Sequence, residues 1–174
     1  LHLSQGKLMG FIESIKQRNL KPENVFISSY FAGLNELGIL NQAVVYLAGR
    51  RVGRYLATYC KEQGNLESII PGNDEVEQYR YALERLNTDL LITLDLTDVC
   101  LDEKEDYFNV KIRNAKCRFC PKGVGEAELT GTLCPFPGLI QDFLSTIVGK
   151  DIGLIKVKNK SLVKDGDWCK IRYA

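Results

Sequence analysis

The sequence predicts an α+β fold: N-terminal helices packed on a four-stranded antiparallel sheet, with a helix between the two hairpins. Apolar residues recur at helical spacing through the first half, the period changes to strand-like alternation near residue 107, and turn residues punctuate both strand regions. A chain of 174 residues with 45% hydrophobic content can bury one substantial core. A single domain over 1–174 is therefore expected, with 1–38 as an N-terminal helical extension, 40–174 as the core, and 114–135 as a loop of its own.

The helices follow in order. Apolar spacing from Leu3 to Ile15 predicts a first helix that ends in the polar stretch Lys16 to Asn24. The run VFISSYFAGLNEL stops at Gly38, a residue suited to ending a helix. Asn41 can then cap a long helix through Cys60 with an apolar stripe of Val44, Val45, Ala48, Val52, Tyr55, Leu56 and Tyr59. Within it Gly49 and Gly53 lie on one face, where they weaken the helix by about 1 kcal/mol each and admit another backbone, which a second subunit could supply. After PGN at 71–73, Asp74 and Glu77 form an aspartate version of a capping box. A helix over 74–88 follows, with Val76, Tyr79, Leu83 and Leu86 as its stripe.

The strands come next. LLITLDL at 90–96 is β-prone, YFNVKIR at 107–113 alternates through Phe108, Val110 and Ile112, and the acidic DEKED between them reads as a hairpin loop. Residues 136–148 return to a helical stripe through Leu139, Ile140, Phe143, Leu144 and Ile147. Thereafter IGLIKVK and WCKIRY flank the turn KDGD at 164–167, the second hairpin.

Charge narrows the function classes. Twenty-three lysines and arginines against 22 aspartates and glutamates leave no global field of the kind that gathers nucleic acid, so no direct nucleic-acid role is expected. The charges are uneven: Lys150 to Arg172 carries seven cations against three acids, which reads first as a solvated face. No apolar run reaches the roughly 18 to 20 residues that cross a bilayer, and no signal-peptide pattern opens the chain, so the cytoplasm is the expected address.

KCRFCPKGVGEAELTGTLCPF at 116–136 would be a long connection without regular structure, and something must hold it. Ordering it costs roughly 1 to 2 kcal/mol per residue in backbone entropy, and few large apolar side chains offset this. Cys117 and Cys120 have C-x-x-C spacing, Cys134 follows, and Cys169 sits in the last predicted strand. Four thiolates suit a tetrahedral, structural zinc that would pin the loop to the last hairpin. A thiol redox pair, an iron–sulfur cluster and plain core cysteines remain as rivals. Cys60 and Cys100 read as core.

Most of the stretch 40–174 also resembles the 4-vinyl reductase-like domain family, especially archaeal members described as hydrocarbon-binding proteins. The resemblance rests on AGRRVGRYLA at 48–57, GTLCPFPGLIQDFL at 131–144 and SLVKDGDWCKIRY at 161–173. The family pattern places a cysteine before the penultimate helix, Glu-x-x-Cys in a strand, and a final cysteine after a Gly-Asp turn. Cys134 and Cys169 match the first and last, whereas the middle pair falls on Lys158 and Ser161, and Cys117 with Cys120 would replace it.

The resemblance implies a small dimerising α+β domain, related in fold to vesicle-tethering subunits, that encloses a hydrophobic small molecule. The expected function is thus a zinc-containing ligand-binding or sensory module. Tyr46, Arg50, Phe108 and Phe136 are candidate pocket residues because they pair aromatic surface with a polar handle. The alternatives are a reductase acting on a vinyl tetrapyrrole-like substrate and a non-catalytic assembly subunit. No glycine-rich dinucleotide fingerprint supports the reductase; His2 is terminal, and nothing singles out Glu126 or Glu128 as an acid or base.

Overall fold

The computed structural model describes residues 5–63, 75–90, 94–95, 101–102, 107–124, 129 and 133–174. Asp74, Cys100, His2, Glu126, Glu128 and the loop 103–106 lie outside them, as does most of the strand expected over 90–96. Five α-helices are described: α1 (Gln5–Arg18), α2 (Pro22–Glu36), α3 (Gln42–Glu62), α4 (Glu75–Leu90) and α5 (Phe136–Val148). Six strands accompany them: β1 (Leu94–Asp95), β2 (Leu101–Asp102), β3 (Tyr107–Arg113), β4 (Leu154–Ile155), β5 (Val163–Asp165) and β6 (Trp168–Tyr173). The fold is α+β.

All strand pairs are antiparallel. β3 and β6 form the centre through six registered pairs, from Phe108 opposite Tyr173 to Arg113 opposite Trp168. β1 and β2 both line the free edge of β3, and β4 and β5 both line that of β6, so the six short strands make four lanes. The second expected hairpin is therefore split: β5 meets β6 across the turn at Gly166, while β4 pairs with the far end of β6.

The chain divides into two compact units, Leu1–Val45 with Asn114–Cys134, and Tyr46–Arg113 with Pro135–Ala174. The residues expected to form a separate extension thus share a unit with the cysteine-rich segment. In this first unit Pro22 opens α2, where a missing N–H does no harm, and Asn24 accepts a hydrogen bond from the Lys21 N–H at 3.0 Å. Gly38 ends the α2 region with φ of 71°, and the Asn41 side chain accepts from the Val44 N–H at 3.0 Å, as the sequence predicts.

Protein groups hold the segment after Asn114. Arg18 of α1 donates to the carbonyls of Cys120 (2.9 Å) and Lys122 (2.7 Å). The Gln42 amide exchanges two hydrogen bonds with the Cys134 backbone, at 3.0 and 3.1 Å. Cys117, Pro121, Val124 and Leu133 are buried beneath these contacts.

In the second unit α5 is the central helix, with every residue from Phe136 to Leu144 buried. The two glycines of α3 allow it there. A Cβ on Gly49 would overlap the Pro135 carbonyl, one on Gly53 the Leu139 carbonyl, and one on Gly138 the Tyr46 carbonyl. The close backbone approach read from Gly49 and Gly53 is thus satisfied within the chain, by α5.

The stripe expected on α3 divides. Of its seven residues Val45 is buried and Leu56 half-buried, whereas Val44, Ala48, Val52, Tyr55 and Tyr59 are exposed; the face buried with the two glycines is completed by Ala57 and Cys60. On the sheet, Phe108 stacks on Tyr79 with centroids 4.6 Å apart and meets Tyr173 at 5.5 Å; the Tyr173 hydroxyl donates to the Pro137 carbonyl at 2.9 Å. This ties the sheet to the first turn of α5.

Candidate functional site

The expected pocket residues occupy structural positions. Phe108 and Phe136 are each 1% exposed and both adjoin Tyr173 in the core. The Tyr46 hydroxyl donates to Gln141, and Arg50 pairs with Asp142 at 2.7 Å, so both tie α3 to α5. Arg54 reaches the second oxygen of Asp142 at 2.9 Å, and that carboxylate is 6% exposed. The Asp142 hydrogen bond, offset in part by burial, raises the Arg50 pKa.

The four cysteines fall in both units. Cys117 is buried and Cys120 and Cys134 are half-buried in the first; Cys169 lies in β6, opposite Ile112, in the second. Among the described residues no group of three or more histidine, cysteine, aspartate or glutamate side chains is arranged to hold a metal ion.

The sheet offers a different site. Alternation turns Phe108, Val110, Ile112, Ile171 and Tyr173 into the core, which leaves Tyr107, Asn109, Lys111 and Arg113 of β3 beside Trp168, Lys170 and Arg172 of β6 on the other face. Lys111 stands directly opposite Lys170, a pairing that destabilises a sheet unless an anion intervenes. Asp165 is one such anion among the described residues. It pairs with Lys170, which holds its carboxyl below the usual range with further help from Lys111. Arg113 lies over the Trp168 ring at 5.1 Å and Arg172 over the Tyr107 ring at 3.9 Å.

Where β4 ends and β5 has not begun, the edge of β6 opens into a groove of about 280 Å³. Ile155, Val157, Leu162 and Val163 give it apolar walls. Lys160, Lys164, Lys170 and Arg172 surround it, with Asn109 and Ser161 as polar neighbours and Asp165 the single acid of the lining. Lys158 and Asn159 turn the chain beside it, both with positive φ (50° and 62°), between the bridged pair Val157 and Lys160. Positive φ at both central residues is what such a two-residue hairpin turn requires, and reciprocal backbone hydrogen bonds of 3.0 Å between Val157 and Lys160 close it.

Sequence reading missed this groove. Its signal was the cation excess over Lys150 to Arg172. Only the register of β6 shows which of those cations share a face.

No helix among the described residues is long and apolar enough to cross a membrane. No solved structure matches the chain. Two proteins of Methanocaldococcus jannaschii are similar to it, and both are named as uncharacterized. MJ1342 is 31% identical over 80 residues, 45% of this chain and 70% of that protein. MJ0207 is 30% identical over 128 residues, 73% of this chain and 74% of that protein. The MJ0207 family as a whole matches residues 38–174, which takes in α3, α4, α5 and the entire sheet. The chain belongs to the MJ0207 family.

Proposed function

We propose that this chain is a non-catalytic binding module that takes a small amphipathic anion in the groove along β6. The observation that carries the reading is the make-up of that groove, in which apolar residues are lined up with four cations and one acid. An alkyl or prenyl segment lies against Ile155, Val157 and Leu162, and a carboxylate or phosphate meets Lys170 and Arg172. Arginine binds such a headgroup through two parallel hydrogen bonds, and lysine as a point charge. The volume suits a compact ligand at the lower end of the usual range for small-molecule sites.

The resemblance to 4-vinyl reductase-like domains supports the binding-module reading, and the groove adds the anionic end of the ligand. Native mass spectrometry of the purified chain, followed by organic extraction, tests it. A released compound with an apolar body and an acidic group is the expected result. Release of a neutral hydrocarbon, or of a vinyl tetrapyrrole that the chain reduces on addition of a reduced cofactor, would replace the reading.

A further inference from the structure

The groove leaves α3 unused, and α3 has a second face. The glycine face is occupied by α5. On the other side Ala48, Val52, Tyr55 and Tyr59 recur at spacings of four, three and four, the pattern of a helix that packs along a second helix. Val52 is 47% exposed, Tyr55 63% and Tyr59 61%, and Leu47 beside them is 61% exposed.

The charge carried by α3 itself is of one sign before its last residue. From Gln42 to Lys61 the helix contains Arg50, Arg51, Arg54 and Lys61 and no carboxylate; Glu62 comes only at its end. Leu47, Arg50, Arg51, Arg54 and Tyr55 together line a recess of about 440 Å³. Asp142 supplies one negative charge to two of the arginines, while Arg51 lies over the Tyr55 ring at 5.6 Å.

We infer that this face of α3 docks an amphipathic helix of a partner protein, one whose apolar stripe is flanked by aspartates or glutamates. The stripe fixes a helical partner, because Val52, Tyr55 and Tyr59 lie along one line. Arg51 fixes its charge, because Arg50 and Arg54 share Asp142 within the chain and a carboxylate-bearing helix neutralises Arg51. A second copy of this chain is the wrong occupant. Apposing two α3 helices brings three arginines and the Asp142 carboxylate from each copy to the seam, which leaves positive charge in excess on both sides, and like charges brought together there oppose association.

The test uses the full chain and two synthetic helical peptides of α3's own length. Both carry the same leucine stripe, one flanked by glutamates and one by lysines. Fluorescence anisotropy should show the glutamate peptide binding at least about ten-fold more tightly, with affinity falling as salt rises. The variant Arg51→Glu should remove or invert that preference. Tyr55→Ser should weaken the glutamate peptide by about ten-fold while circular dichroism and melting stay unchanged. Equal binding of the two peptides, binding of neither, or indifference to both substitutions overturns the inference. So does sedimentation showing a dimer that Val52→Glu dissociates, which assigns the face to a second copy.

Discussion

Asp142 is the residue on which the second unit turns most directly. It is buried, and it accepts from Arg50 and Arg54 across the α3–α5 contact. Removing it leaves two guanidinium groups without their carboxylate. Asp142→Ala should therefore lower the unfolding free energy by about 2 to 4 kcal/mol, read from urea denaturation; the part-exposed arginines keep the loss below that of a fully buried pair. Ser28 is the opposite case. Its hydroxyl is buried and, among the described residues, has no hydrogen-bond partner. Ser28→Ala should be neutral or stabilise by up to about 1 kcal/mol in the same assay.

Glu75 gives the chain a pH dependence. Its carboxylate accepts from Lys150 and from the Tyr79 hydroxyl, and these bonds hold its pKa below the ordinary 4.5. Burial and the same carboxylate push the Tyr79 phenol above its normal range, so it stays protonated. A depressed folded-state pKa contributes stability that is present above the unfolded value and lost as pH falls through the folded one. Thermal melting should therefore decline below about pH 4.5, and Glu75→Gln should flatten that decline. An unchanged acid slope would mean that other carboxylates set it.

Elements were legible wherever a local signal existed. Gly38 and Asn41 marked the end of one helix and the start of the next because caps are local. The apolar stripe of α3 was less informative, since apolar spacing identifies a helix face without saying what covers it. The glycines were the better guide: Gly49 and Gly53 point at α5, and Val52, Tyr55 and Tyr59 do not share their burial. Gly53→Ala tests that contact. Helix propensity alone would gain about 1 kcal/mol, yet the added methyl meets the Leu139 carbonyl. We expect a net loss of about 2 kcal/mol or more, measured by denaturation.

The cysteine-rich segment was legible as one that must be held, whereas the side chains Arg18 and Gln42 that hold it were not. Its length and composition said that something must tie it down, and thiolates were the only local candidates. The ties lie far away in sequence: Arg18 precedes Cys120 by 102 positions and Gln42 precedes Cys134 by 92. No periodicity connects such pairs. Arg18→Met, which keeps much of the side-chain length but removes the guanidinium, should speed tryptic or chymotryptic cleavage between 114 and 134. If cleavage is unchanged in Arg18→Met and in Gln42→Leu, these side chains do not hold the segment.

For the whole molecule, composition and function part company. A net charge of +1 suggested a surface without a strong preference. Folding brings Lys111, Lys170 and Arg172 together on one sheet face, and Lys160 and Lys164 to the same groove as Lys170 and Arg172. Partner chemistry on this chain follows from register and not from totals, and the same holds for the arginines of α3.

The proposed function is tested most directly by titrating the full chain with octyl phosphate, octanoate and octanol, observed by calorimetry and by backbone amide shifts. Octyl phosphate and octanoate should bind and shift the amides around Ile155 to Arg172, octanol should bind at least about ten-fold more weakly, and Arg172→Met should weaken the two anions by about ten-fold. Equal binding of all three, or anion binding untouched by Arg172→Met, would contradict a groove built for an amphipathic anion.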